Sequence, residues 1–483
     1  MTQQRSPGSM LLVAMVAGCA WDGDRARDTF RAEVARDLGA GPEHELLAER
    51  DDDAALAAGQ QLEARAAGEA ARDGLTLSEC FRLAIAGSER LRSRAEQVFS
   101  ADMARREAIA SVLPRVALYG THTKDSNKIA FSGGGGSFQP SERTSYGLLV
   151  TQTIFDGELA PRLSIIDETR RIQALTLRDE RDRLLFDVAS DFFAALGLEA
   201  DLAAIRATRA SAQEALRVLD ARAEVGLARA DDVLLARASL AEAEARSIQA
   251  EAELERVRAR LSSVLGVAPL PSLVDTYEVV TDVGPIPRLL DLGLRQRSDL
   301  EAARRAVEEA RARENLSLSE FLPEAELTFN QLVESEEGFN SQLDWTLGVN
   351  LTWNLFEGAG SVARVAQARS VIRRRQLELR ALEERVALEV EDAVLAFRSL
   401  DRAQFAFAVR ARAATAAHEV TEELLAAGAA TQLELLVARD TREDAVRNMT
   451  RATLGRKLAA LRIRLAAGDL RNAPPVAALA NEP

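Results

Sequence analysis

Long apolar runs are missing from this 483-residue chain. No stretch approaches the roughly 18 to 20 apolar residues of a membrane-spanning helix, so any attachment to a membrane has to come from a β-barrel or an anchor. Histidine is scarce: His44, His122 and His418 lie far apart in unlike contexts, and no metal or catalytic constellation can be read from them. Clustered acids and nucleophiles are lacking too, so the expectation is no enzyme, no metal and no cofactor. A net charge of −14 without a compact Lys/Arg patch argues against nucleic acid as a partner. Aromatic residues make up only 5% against 28% charged, with Ala, Arg, Glu and Leu dominant, a composition of long helices and coiled-coil packing.

What is present begins with residues 1–18. Arg5 gives a short positive start, Met10 to Ala17 is a compact apolar segment, and Val16-Ala17-Gly18 precedes Cys19. This resembles a bacterial lipoprotein signal peptide, which implies cleavage before Cys19 and acylation of its new terminus, palmitate included. Several acyl chains at about 0.8 kcal/mol per buried methylene would anchor the chain amply. Ala20 supplies no acidic retention signal, so the resemblance favours the outer membrane. With Cys19 acylated, Cys80 has no partner for an intramolecular disulfide, and its amphipathic setting between Leu77 and Ile85 makes it a small core residue. Residues 19–74 form an acidic, alanine-rich linker.

The first regular element starts at Leu75-Thr76-Leu77-Ser78, where Thr76 or Ser78 can cap a helix running from Cys80 to Val112. Leu113-Pro114 ends it. Strands follow at about 115–124 and 144–155. On the second, Tyr146, Leu148, Val150 and Ile154 share a face. The intervening Ser132-Gly133-Gly134-Gly135-Gly136-Ser137 lacks the lysine and helix of a phosphate loop and is an exposed flexible connection. Residues of about 158–224 then give one helix, roughly 90 Å long at 1.5 Å per residue and too charged for lipid. Its apolar stripe of Leu184, Leu185, Val188, Phe192, Ala195 and Leu196 needs neighbours. A turn at Gly226 leads to a second helix at about 230–265, and residues 271–287 are a linker.

The pattern then repeats. Leu113-Pro114 recurs as Leu322-Pro323 (322 − 113 = 209), Phe155-Asp156-Gly157 as Phe356-Glu357-Gly358 (356 − 155 = 201), and Gly226 as Gly428 (428 − 226 = 202). The chain is a tandem duplication, 75–270 and 288–470, with a tail at 471–483. The second copy places strands at about 324–333 and 343–355 and long helices at about 360–426 and 431–466. Leu343 to Leu355 alternates without a break: Leu343, Trp345, Leu347, Val349, Leu351, Trp353 and Leu355 on one face, polar residues and Gly348 on the other. Tyr146, Phe155, Trp345, Trp353 and Phe356 are candidates for the edges of a bilayer. Four strands per chain cannot close a barrel, and open edges are not tolerated in lipid. Two chains would give a plugged lumen; three or four would leave a channel.

The ordered set of Leu-Pro, two strands, Phe-Asp-Gly or Phe-Glu-Gly, Val225-Gly226-Leu227 and Leu265-Gly266-Val267 resembles the TolC-like outer-membrane efflux proteins. The resemblance covers about Leu75 to Leu470. It implies a mainly α chain that forms, as a homotrimer, a twelve-stranded membrane β-barrel continuous with a long periplasmic α-helical barrel. It further implies a passive duct of a tripartite efflux or type I secretion system, in outer-membrane lipid, working with a periplasmic adaptor and an inner-membrane pump. The adaptor-docking turns would be Val225, Gly226, Leu227 and Ala427, Gly428, Ala429, and a periplasmic constriction would carry Asp232 and Glu434 (434 − 232 = 202). The second turn departs from the family pattern, as do Leu235 and Val437, where some members place another acid. The competing reading is a lipid-anchored periplasmic coiled-coil scaffold or adaptor without a pore.

Overall fold

A computed structural model describes residues 74–124, 142–226, 228–279, 283–336 and 342–470. They form two compact units. Residues 1–73 with the signal segment, Cys19 and nearly all of the linker, the glycine-rich connection at 132–137, Leu227 and the tail at 471–483 lie outside the described residues.

The first unit takes residues from 74–95, 176–298 and 383–470. Its opening helix α1, Leu77–Gly87, starts with a reciprocal cap: Thr76 Oγ1 accepts from the Glu79 amide, and the Glu79 carboxylate accepts from the Thr76 amide at 2.7 Å. The expected single helix from Cys80 to Val112 is in fact two. Ser88 is extended, its hydroxyl accepts from the Leu91 amide at 3.3 Å, and α2 begins afresh as Glu89–Ala110. Glycine followed by a serine that can cap locally outweighs the apolar periodicity.

The helices α3, Leu159–Glu224, and α4, Ala230–Leu265, make the first long pair; α7, Gly360–Ala426, and α8, Gln432–Ala466, make the second. Between them come the short α5, Ile286–Gln296, and α6, Ser298–Ser319. The duplication persists in the elements themselves, since α6 starts 298 − 89 = 209 residues after α2. Pro161 and Gly197 are both accommodated inside an unbroken α3. The core of this unit joins Leu77, Cys80 and Ala84 of α1 to Leu185, Val188, Phe192 and Ala195 of α3, Leu261 and Leu265 of α4 and Leu461 of α8. Leu184 and Leu196 pack at its margin. Phe192 and Phe193 meet edge to face at 5.5 Å. Burial pushes the Cys80 thiol up to about 12, with the Glu79 charge adding to it, so the group is an inert filler.

The second unit, 96–175 with 299–382, holds the sheet. Strands β1, Arg115–Lys124, β2, Glu142–Phe155, β3, Glu324–Glu336, and β4, Gln342–Thr352, pair antiparallel in sequence order. β2 against β3 therefore joins the two repeats into one sheet, with β1 and β4 at its edges. The strand expected at 343–355 stops at Thr352, whose partner Glu324 is the first residue after Pro323. Past that pair the register sets Trp353 opposite Pro323, which has no amide to give to the ladder. The strand expected at 324–333 runs further, to Glu336. A bulge between Thr153 and Phe155 leaves Ile154 as the extra residue and sets Phe155 opposite Ala325, so Phe155 shares the apolar face in place of Ile154.

Gly147 is required by its neighbours. A methyl group there would lie 2.5 Å from the Gln331 carbonyl oxygen and 2.8 Å from the Tyr119 ring. Tyr119 crosses it to donate to Asn330 Oδ1 at 2.8 Å. Gly147→Ala is expected to destabilise the sheet by about 1–3 kcal/mol, as overpacking does. The yield of heat-resistant folded protein on a gel measures this.

Candidate functional site

The pairing register sorts the sheet into two unlike faces. Residues opposite one another share a face, and four rows run across all or most of it: Gly120, Tyr146, Val333 and Leu343; Leu118, Leu148, Gln331 and Trp345; Val116, Val150, Phe329 and Leu347; Gln152, Leu327 and Val349. Apart from Gln331, Gln152 and Gly120, every member of these rows is apolar. The face is open to solvent in the single chain, with Leu118 at 85% and Leu347 at 60% of full exposure. Such an area is far beyond the scattered apolar residues of a soluble surface.

The opposite face is mainly polar, with Ala117, Leu149 and Leu332 as apolar members. Thr328 and Glu326 bond at 3.2 Å, Asn350 reaches Thr328, and Arg143 pairs with Glu334 at 3.1 Å. Among the described residues both edge strands keep one side unpaired, a row of amides and carbonyls that lipid cannot satisfy.

Where strands meet helices, polar groups fasten the joint. Gln152, one of the polar exceptions on the apolar face, donates to the Val112 carbonyl in the turn after α2. Trp353 Nε1 donates to the Phe321 carbonyl at 3.0 Å, holding the indole against the turn before β3. Arg364 binds both Glu320, at 2.6 Å, and Glu357, at 2.9 Å. Of the five aromatic candidates, Tyr146, Phe155 and Trp345 lie in strands, whereas Trp353 and Phe356 follow β4; all five are exposed.

The two helix-hairpin turns belong to the first unit. Gly226 and Gly428 have φ of 73° and 76°, the left-handed region that glycine enters without strain. Val225 is exposed beside the first. At the second, the Gly428 and Ala429 amides bond back to the Leu425 and Leu424 carbonyls at 3.0 and 2.8 Å, closing α7, and Ala427 bonds to Glu423.

Asp232 and Glu434 both stand third in their helices, but their surroundings differ. Glu434 is part of a capping box: its carboxylate accepts from the Thr431 amide at 2.7 Å and hydroxyl at 2.9 Å. These bonds hold its carboxyl below the usual range, so the cap is intact at neutral pH and is lost only as pH falls through that lowered value. In the first repeat Arg229 occupies the cap position, gives no side-chain cap, and binds Asp231 instead at 2.6 Å, leaving Asp232 half-buried in the first turn. Val437 is exposed and Leu235 half-buried.

Contacts between the two helical pairs escape local sequence patterns. Arg439 and Glu443, i and i+4 on α8, pair at 3.2 Å while buried, and both also bond Thr208 of α3. Arg451 reaches Asp201 of α3 at 3.1 Å. The i,i+4 spacing of Arg439 and Glu443 is a signal in itself, but their partner on α3 lies more than 230 residues away. His418 of α7, only 9% exposed, faces Arg442 of α8. Among the described residues no group of three or more His, Cys, Asp or Glu side chains is placed to hold a metal ion, and no helix is long and apolar enough to cross a membrane.

The duplicated chain thus has a four-stranded sheet with one apolar face and two pairs of long helices. The sequence matches the family described as Outer membrane efflux protein over residues 81–267 and 289–469, and the chain belongs to that family. Its fold is similar to that of the outer membrane protein VceC from Vibrio cholerae, with a TM-score of 0.68 at 17% identity over 81% of this chain and 96% of that one. The CmeC outer membrane channel of Campylobacter jejuni gives 0.74 at 15% over 82% and 86%. The MtrE outer membrane channel of Neisseria gonorrhoeae, solved in an open state, gives 0.68 at 18% over 82% and 89%. No curated protein matches the sequence.

Proposed function

We propose that this protein is the outer-membrane duct of a tripartite efflux or type I secretion system: three copies join their sheets edge to edge into a twelve-stranded barrel, and their long helices form a tunnel in the periplasm. The observation that carries this reading is the exposed apolar face of a sheet whose two edge strands each have, among the described residues, one side unpaired. From Leu343 to Leu351 that face extends about 27 Å along β4. At a tilt of 35–45° this is roughly 20 Å of height, which the aromatics after the strand extend towards the apolar band of about 25 Å found on such barrels. A second apolar stripe supports helix packing between copies. On α7, Leu388, Leu395, Val409, Val420 and Leu424 are all exposed at intervals of 7, 14, 11 and 4 residues, close to whole helical turns.

In this reading the duct is passive, because energy comes from an inner-membrane pump that engages it through a periplasmic adaptor at the turns around Gly226 and Gly428. Cys19 carries the lipid anchor, and Cys19→Ser should abolish labelling by a radioactive fatty acid. Asp232 lines the periplasmic constriction. Glu434 both caps α8 and adds charge there, so replacing Asp232 and Glu434 together with alanine should reduce cation block of the channel; an unaltered channel removes them from the constriction. The reading as a whole is tested by adding the purified full-length oligomer to planar bilayers. Stepwise ion conductance is expected. Silent bilayers from a correctly folded oligomer would favour the poreless scaffold.

A further inference from the structure

We infer that His418 makes the second helical pair proton-sensitive: acid loosens α7 from α8 just before the turn at Gly428. The argument starts from one contact. Arg442 Nη1 lies 3.4 Å from His418 Nδ1, and a guanidinium has only donors and keeps its charge at any pH a cell meets. Nδ1 is therefore the acceptor, and the imidazole is neutral with its proton on Nε2. A second proton can only go to Nδ1. It turns the acceptor into a donor and sets two cations against each other in a site where the side chain is 11% exposed.

The charged groups facing the ring are Arg442 and Arg439 from α8 and Glu422 and Glu419 from its own helix. Arg439 is already committed to Glu443 at 3.2 Å. Glu422 is 4.0 Å from Nδ1, but its side chain is 69% exposed, so water screens its help to the imidazolium. Burial first, and then the Arg442 charge, hold the ring below the ordinary histidine value of 6.5. The sign follows. With the packed-state value depressed, the packed arrangement is fully favoured above pH 6.5 and loses ground as pH falls below it, because the loosened state takes up the proton first. His418 sits nine residues before Ala427, about two and a half turns of helix. Loosening there changes the region that the proposed function makes the tunnel's periplasmic end, and this part of the inference rests on that reading.

The test uses the full-length protein in detergent and compares His418→Gln, which keeps a neutral polar group, and Arg442→Gln, which keeps the histidine but removes the opposing cation. Amide hydrogen exchange of residues 412–445 is followed from pH 7.5 to 5.5 after correction for intrinsic rates, with conductance measured on the same samples. In the unaltered protein, acid should accelerate exchange in this stretch by severalfold, with a ceiling of about tenfold for each pKa unit of depression. His418→Gln should lose that response, and Arg442→Gln, in which burial still depresses the ring, should keep only part of it, with the pH dependence of conductance falling in the same order. An acid response equal in all three proteins overturns the switch. An exchange response lost in His418→Gln and weakened in Arg442→Gln, with no conductance at any pH, keeps the switch and overturns the duct.

Discussion

Leu347→Arg should prevent the chain from assembling in a membrane, while Thr346→Arg, one residue away, should leave assembly intact. Leu347 sits in the row with Val116, Val150 and Phe329 near the middle of the apolar face, whereas Thr346 pairs with Asn330 on the polar face. An arginine facing lipid near the midplane of a barrel costs about 2–4 kcal/mol. In an oligomer the cost is incurred once per copy, so a trimer meets it three times and the folded fraction falls by orders of magnitude. On the polar face the guanidinium remains in water. The comparison is read as the fraction of each variant that becomes heat-modifiable and protease-resistant in outer-membrane fractions. Equal assembly of the two would mean that the apolar face does not contact lipid.

The second large effect belongs to the helical unit. Phe192 is fully buried where α1, α3, α4 and α8 converge, with Phe193 edge-on to it at 5.5 Å. Truncation to alanine removes the ring and leaves a cavity in a closely packed region, at a cost of about 3–5 kcal/mol. That is a large share of the stability of an ordinary domain. Phe192→Ala should lower the thermal midpoint of helical circular dichroism by many degrees. Phe405→Ala, at an exposed position of α7, should shift the midpoint of the isolated chain little.

Much of this fold was legible in the sequence because its signals are local and repeated. The alternation from Leu343 to Leu355 gave the two faces of β4, and the offsets of 209 and 201 gave the duplication that turned four strands into a set. The stripe on α3 named core residues that the structure buries, Phe192 among them. What escaped depends on partners distant in the chain. The end of β4 at Thr352 follows from where β3 begins, and the displacement of Ile154 by Phe155 follows from a bulge that exists only in the pairing of β2 with β3. The break at Ser88 was locally signalled by Gly87-Ser88 but was masked by the apolar periodicity on either side. Glu434 is the instructive case. Thr431-Gln432-Leu433-Glu434 carries the spacing of a capping box, a role for Glu434 beside the proposed constriction that its likeness to Asp232 in the other repeat hid. The contact between His418 and Arg442 needed the register of α7 against α8, which no local pattern supplies.

The central claim is that β1 and β4 are edges only until other copies arrive. Its most direct measurement is disulfide trapping between the two edges, with one cysteine in β4 at Gly348 and a series of single cysteines along β1 from Arg115 to Thr121, in a chain where the buried Cys80 is replaced by alanine. Joining of β4 to β1 of the next copy predicts a register-specific signal at one or two positions of the series, giving covalent dimers and then trimers and nothing larger. Cross-links that remain within one chain, a ladder that continues past three, or no register dependence at all would contradict it.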